Sequence, residues 1–409
     1  MKKVELLAPA GSLEKLKMAV LFGADAVYIG GEEFSLRASA ENFSKDDMLE
    51  GIEFAHSRGK KVYLTMNIIP HNDDLEDMPD FIREASSLGV DAIILSDPGT
   101  FSIVKEIAPD IPIHLSTQAN NTNWRSAKFW YDQGVKRIIL ARELSLAELS
   151  AMREKLPSEI ELEMFVHGAM CISYSGRCLL SNYMTGRDSN KGYCAHPCRW
   201  KYHLVEEKRP GEYMPVYENE RGTFIYNSKD LCMIEYIPEI INAGLNSLKI
   251  EGRMKSSYYV ATIVKTYREA IDAYYADPSN YRFNPESLEE LSKASHREYS
   301  TGFYLDKPSG NGQIYNTSSY IREYDFVGLV ISYDKDTRIA TIEQRNRMFV
   351  GDEIEVVRPT GKYFIQKISE MKDIEGNNIS VAPHPQMTVF MYMDDPVVEF
   401  TMLRRKVLE

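Results

Sequence analysis

GADAVYIG occupies residues 23–30, and its design recurs along the first two thirds of the chain. Gly59 precedes KKVYLTMN (60–67), Gly89 precedes VDAIILS (90–96), Gly134 precedes VKRIILA (135–141) and Gly244 precedes LNSLKIEG (245–252). Each time an amphipathic stretch ends at glycine, the residue best suited to the left-handed cap of a helix. An apolar, β-branched run follows within a few residues. Such runs are short and nearly continuous, as strands buried on both faces are. A helix, cap and strand repeating in this way means a βα array.

The pattern predicts strands near 4–8, 26–30, 61–67, 91–96, 112–117, 136–141, 160–166 and 246–251. It predicts helices near 12–22, 45–58, 74–88, 98–107, 123–133, 144–155, 233–243 and 256–276. Eight of each make a TIM-like (β/α)8 barrel over residues 1–280 the leading fold. A doubly wound open sheet is the rival, and the lack of G-x-G-x-x-G at the first helix weakens it. In a barrel, the residues just after each strand collect at one face. Here these are Pro9, Arg37, Asn67, Asp97, Gln118, Asn120, Arg142, Glu143, His167, Glu251 and Arg253. Arginines and amides with no carboxylate pair suit an anionic, hydrogen-bond-rich small molecule.

The connection after the seventh strand, 167–232, is far longer than the others and carries all five cysteines. Connections of that length carry function or structure of their own. Its middle alternates like a β-hairpin with a polar tip around 208–221. Residues 281–322 read as a helical and loop connector. From 323 to 409, segments such as DFVGLVISYD, TRIATIEQRN and KYFIQKISEM alternate at period two between turn signals. They predict a small antiparallel C-terminal β-barrel.

No run of about 18 apolar residues exists, so no membrane span is expected. MKKVELLAPAGSLEKL does not read as a signal peptide, which leads to the expectation of a reducing, cytoplasmic setting. There, clustered thiols argue for metal or catalysis rather than disulfides. A net charge of −12 opposes general nucleic-acid binding. The cysteine region is an exception: Arg177, Arg187, Lys191, Arg199, Lys201, Lys208 and Arg209 face only Asp188, Glu206 and Glu207.

The thiols run C-x6-C-x15-C-x3-C from Cys171 through Cys178 and Cys194 to Cys198, with Cys232 after 33 more residues. Structural zinc favours two close pairs, and only 194/198 qualifies. A cluster can be held by dispersed cysteines, because only folded geometry counts. Spacing alone leaves iron–sulfur, zinc and reactive thiols open. A Cys171/His167 dyad on a shared helical face is a further reading, without an identifiable third group.

EMFVHGAMCISYSGRCLLS (163–181) closely resembles the signature of peptidase family U32. ELLAPAGSLEKLKMAVLFGADAVYIGG (5–31), FSLRASAENF (34–43) and SLKIEGRMKSSYYVATIVKTYREAID (247–272) resemble it too. The resemblance spans the chain and is strongest to the branch of prephenate-dependent tRNA uridine hydroxylases. It implies a TIM-like barrel with a translation-factor-like C-terminal barrel. It also implies a [4Fe-4S] cluster and C5 hydroxylation of a wobble uridine to 5-hydroxyuridine. By position the ligands would be Cys171, Cys178, Cys194 and Cys232, with 194 and 198 competing. Prephenate, a dicarboxylate, would meet Arg37, Arg142 and Arg253. The expected tRNA contacts are Arg187, Lys191, Arg199 and Lys201, with Tyr183 and Tyr193 for base stacking. His167 and Glu251 are the catalytic candidates. Other activities open at this point are 23S rRNA hydroxylation, collagenase-like peptidase activity and a part in ubiquinone hydroxylation. A homo-oligomer, or a hetero-oligomer with a related member, is an expected assembly.

Overall fold

The structure is a computed structural model that describes residues 3–31, 34, 43–171, 173–175, 177–200, 218–219, 222–223, 228–305 and 320–407. All eight expected barrel strands form. They are β1 Glu5–Pro9, β2 Ala26–Gly30, β3 Lys61–Met66, β4 Ala92–Leu95, β5 Ile113–Leu115, β6 Arg137–Ile139, β7 Glu161–Ala169 and β8 Ser247–Ile250. Each pairs in parallel with the next, and β8 pairs with both β7 and β1, which closes the cylinder. No open sheet edge is left on the barrel, which excludes the doubly wound rival.

The helices fall where the amphipathic stretches lie: α1 Leu13–Leu21, α2 Lys45–His56, α3 Met78–Leu88, α4 Pro98–Ile107, α5 Trp124–Asp132, α6 Leu146–Lys155, α7 Ile237–Asn242 and α8 Ser257–Ala276. Local chemistry sets their ends. Ser44 and Ser145 form reciprocal capping boxes with Asp47 and Glu148, which satisfy donors the first turn would otherwise leave bare. Gly89 caps α3 in the left-handed region at φ +84°. The expected helix at 74–88 divides into a 3-10 turn, Asn72–Leu75, and α3. Pro79 near its start fits only the first turn, so the regular helix begins there. One apolar core lies between the strands and the helices, drawing on Leu6, Ile29, Leu64, Ile93 and Leu162 from the sheet and Leu16, Ile52, Ile82, Val104 and Val264 from the helices.

Beyond β7, strand Asp230–Cys232 adds antiparallel, and Tyr299–Ser300 adds beside it. The expected hairpin around 208–221 falls largely outside the described residues. Only the short pair Glu218–Asn219 and Gly222–Thr223 is described there.

The C-terminal part is an eight-stranded antiparallel sheet that curls as a half-barrel around its own core of Val330, Ile342, Ile354, Met371, Val389 and Leu403. Its outermost strands, Phe364–Lys367 and Asn378–Ile379, do not pair with each other among the described residues, so the sheet stays open. Polar contacts fasten it to the rest of the chain. Arg404, fully buried, reaches Glu355 of the same sheet at 2.6 Å and Glu290 on the connector helix Glu286–Ser292 at 2.6 Å. Arg345 reaches Glu14 on α1 at 2.5 Å. Lys265 on α8 donates to the carbonyls of Arg358 and Gly361 at 3.0 and 2.7 Å.

Candidate active site at the barrel mouth

A cavity of about 190 Å³ opens where the barrel strands end and the cysteine segment folds over them. The barrel supplies Tyr28, Thr65, Asn67, Gln118, Arg142, Phe165, Lys249, Glu251 and Arg253. The overlying segment supplies Cys171, Cys178, Cys194, His196 and Cys198. Four thiols spread over residues 171–198 thus line one cavity.

The floor is charged rather than apolar. On β8 the alternation places Ser247, Lys249 and Glu251 on the interior side, and Leu248 and Ile250 outward. Below, Arg137 on β6 reaches Glu5 at 2.5 Å, Glu161 at 2.7 Å and Glu163 at 3.0 Å. Tyr63 donates to Glu5 at 2.7 Å. Burial would raise the Glu5 carboxyl, but the Arg137 guanidinium outweighs it and holds the group below its ordinary value. Burial among cations drives the His114 imidazole beside them well below its usual range, so it is neutral. At the next level Lys249 Nζ stands 4.2 Å over the Tyr28 ring and 3.3 Å from Glu163. Burial pushes its ammonium below the ordinary lysine value against the pull of Glu163.

At the rim, Arg253 donates to Thr65 Oγ1 at 2.8 Å, and the Tyr28 hydroxyl donates to the Ile250 carbonyl at 2.9 Å with Glu251 Oε2 beside it at 3.3 Å. Gln118 is 5% exposed, and its Oε1 accepts no hydrogen bond among the described residues. A buried acceptor left this way costs free energy until a donor arrives. Arg142 donates to the Ala169 carbonyl at 2.9 Å and to Ser175 Oγ at 2.8 Å. It fastens the cysteine segment to the barrel as well as lining the cavity. The segment is tied again by Lys191 to Asp74 at 2.7 Å and by the Ile69 amide to the Asn190 carbonyl at 3.2 Å.

The thiols do not behave alike. Cys171 is exposed, while Cys178, Cys194 and Cys198 are partly buried. Cys194 Sγ accepts from the His196 amide at 3.4 Å. Cys232 does not line the cavity. It is buried one strand away, paired across from His167, with Sγ 3.9 Å from Tyr267 Oη. Burial pushes its thiol up to about 11. The donor set suits an iron–sulfur cluster in kind, since four thiols line one cavity. Among the described residues, however, no three of the ligand-type side chains stand close enough together to hold a metal ion as they are.

The remaining candidates separate. Glu251, Arg142 and Arg253 meet at the cavity. His167 does not. Register slips by one residue where Lys249 faces Phe165 and Ile250 faces His167. The extra residue in β7 is a bulge, and a bulge turns the next side chain to the other face. His167 therefore points toward α8, among Tyr259, Tyr267 and Tyr299. Burial lowers it to about 3, which leaves it neutral and enclosed. It also lies on a strand, so the expected helical face shared with Cys171 does not form. Lys191 is engaged with Asp74, while Arg187, Tyr183 and Tyr193 are exposed near the thiols. Arg37 and Lys201 lie outside the described residues, as does the side chain of Arg199. The sequence reading passed over Lys249, Tyr28 and Glu163. Polar residues at every second position of otherwise apolar strands were the available signal.

No helix among the described residues is long and apolar enough to cross a membrane. The model of peptidase family U32 matches residues 11–314, and that of its C-terminal domain matches 322–404. The chain is 45% identical to tRNA hydroxylation protein P1 of Bacillus subtilis, covering 99% of this chain and 95% of that one. It is 38% identical to tRNA hydroxylation protein P of Escherichia coli, over 96% and 94%. It is also 33% identical to a protein named collagenase from Porphyromonas gingivalis, over 90% of each. With both parts of the family model matched and the signature cysteines lining the barrel mouth, the chain belongs to peptidase family U32.

Proposed function

We propose that this protein hydroxylates a uridine of tRNA at C5, giving 5-hydroxyuridine at the wobble position, with prephenate as co-substrate and a [4Fe-4S] cluster as cofactor. The observation that carries the reading is the barrel-mouth cavity, lined by four thiols together with Arg142, Arg253 and Glu251. The likeness to the two tRNA hydroxylation proteins supplies the substrate. Cys171, Cys178 and Cys194 would hold the cluster, with Cys198 from the cavity wall or Cys232 from the neighbouring strand as the fourth ligand. When bound, the cluster supplies one-electron chemistry at the cavity. Arg253 and Arg142 bind carboxylates of the co-substrate, since a guanidinium keeps its charge and offers paired donors. The Gln118 amide meets a donor of whichever ligand enters. Glu251, beside the Tyr28 hydroxyl, is placed to accept or return a proton. Exposed Tyr183 and Tyr193 offer stacking faces, and Arg187 offers charge to phosphate.

A peptidase reading has less support, because the cavity lining pairs none of its cysteines with His167. The test is nucleoside analysis of tRNA from a deletion strain, repeated after complementation. Loss of 5-hydroxyuridine, restored by the wild-type chain and not by C178S, is expected. Unchanged nucleosides reject the proposal. Anaerobically purified protein should be brown, and separate C198S and C232S variants identify the fourth ligand by which one bleaches.

A further inference from the structure

We propose that Lys249 is a covalent residue of this cavity, its ε-amine condensing with the keto carbon of an α-keto acid bound there. The inference deepens the reading above and rests on it, since prephenate carries such a group beside a carboxylate.

Three observations lead to it. Lys249 is 4% exposed, yet it lines the cavity rather than the closed interior below it. It stands on the face of Tyr28 and near Phe165, with Nζ 4.2 and 5.5 Å from their ring centres. The ring faces attract the ammonium, but burial there outweighs them and Glu163 and lowers it below the ordinary lysine value, so the uncharged amine, the nucleophile, forms more readily than in water. Its carboxylate neighbour Glu163 shares Arg137 with Glu5 and Glu161, and its Oε2 accepts from Arg137 Nη1 at 3.0 Å. The other oxygen, Oε1, lies 3.3 Å from Lys249 Nζ, as its ion-pair partner. Here the oxygen is a buried proton acceptor beside an amine, the arrangement a condensing lysine needs.

The step balances without an oxidant or reductant. The nitrogen lone pair adds to the keto carbon, and the carbonyl oxygen becomes a hydroxyl. Both amine hydrogens leave the nitrogen, one by way of Glu163, and the oxygen departs as water once Glu251 protonates it. A carbon–nitrogen double bond replaces the carbon–oxygen double bond. Arg253 and Arg142, lining the same cavity, hold the adjacent carboxylate.

The full-length protein is incubated with phenylpyruvate, then with borohydride, and digested with trypsin. Reduction fixes an imine as a secondary amine, which trypsin does not cut. The expected result is a peptide spanning 230–253, carrying the reduced adduct, in place of the 230–249 peptide. K249R should keep the fold by circular dichroism and give no such adduct. Absence of the adduct, or adducts confined to exposed lysines, overturns the inference. So does full tRNA hydroxylation by K249R. The adduct is read without tRNA, so the two proposals fail separately. A protein that hydroxylates tRNA without trapping refutes only the lysine, and one that traps without changing tRNA refutes only the nucleoside substrate.

Discussion

Replacing Gly168 with alanine should cost far more than a glycine-to-alanine change usually does. Gly168 sits in the signature HGAMC with φ +111°, where a side chain is strained. A Cβ there would lie 2.5 Å from the Glu251 carbonyl oxygen and 3.0 Å from the Glu251 Cβ. The first atom is backbone of β8's end and cannot swing aside. Backbone strain of this kind costs about 1–3 kcal/mol, and forcing an extra methyl into a packed site about 1–3 more. The total comes to about 2–6 kcal/mol. Gly59 is the control. It is also left-handed, at φ +68°, but nothing lies within 4 Å of its would-be Cβ. G59A should therefore show conformational strain alone, about 1 kcal/mol.

Urea unfolding followed by tryptophan fluorescence measures the difference. The three tryptophans, Trp124, Trp130 and Trp200, all precede the C-terminal sheet, so the signal reports the barrel and its insertion. Comparing the two variants at equal slopes isolates the steric part. If G168A falls within about 0.5 kcal/mol of G59A, the close approach of β7 to Glu251 is wrong. The displacement should also move Glu251 from the cavity and lower hydroxylation beyond what lost stability explains.

R137M should destabilise the barrel by about 3–5 kcal/mol in the same urea assay, because it leaves Glu5 buried without its cation and Glu163 with Lys249 alone. A loss below about 1 kcal/mol would refute that account. Glu290 gives a pH test. Burial pushes its carboxyl up, but hydrogen bonds from Arg404 outweigh this and hold it below its ordinary 4.5. A carboxyl depressed on folding contributes stability fully above that ordinary value and loses it as pH falls through the lower folded one. The melting temperature should therefore drop below about pH 4.5, and E290Q should flatten that limb. R142M, which removes the donors to Ala169 and Ser175, should leave the barrel transition within about 2 kcal/mol of wild type. Limited proteolysis should then cut between 171 and 200 several-fold faster, and an unchanged rate would refute the fastening role.

The barrel was legible because its signal is repeated. Five of the eight strands follow a glycine that ends an amphipathic stretch, so the spacing of those five leaves room to place the other three. The cysteines were legible as a group but not as a geometry. Nothing in the spacing of 194, 198 and 232 tells which thiols line the cavity, since that depends on how the segment folds back over β3 and β7. His167 shows the sharper limit. Strict alternation through Glu161, Glu163 and Phe165 places it inward, and a single extra residue in β7 reverses it. A bulge leaves no mark in the periodicity before it occurs. Lys249 was passed over for the opposite reason, as a polar residue inside an apolar run easily read as noise.

The charged floor explains why such a run tolerates it. A lone lysine inside a barrel would be costly to bury, and its usual answer is a carboxylate partner. Here that carboxylate, Glu163, is held on its other side by Arg137, which in turn is balanced by Glu5 and Glu161 nearer the open bottom of the barrel. Charge is relayed downward toward solvent, since Glu161 and Glu5 are the more exposed members, at 21% and 15% of their side-chain surface. The cost of keeping a reactive amine at the cavity is thus borne by residues two layers below it. Replacing that network with well-packed apolar side chains would be neutral or stabilising for the fold. It would also remove the amine and its acceptor from the cavity, so stability and chemistry make opposite demands on the same five residues.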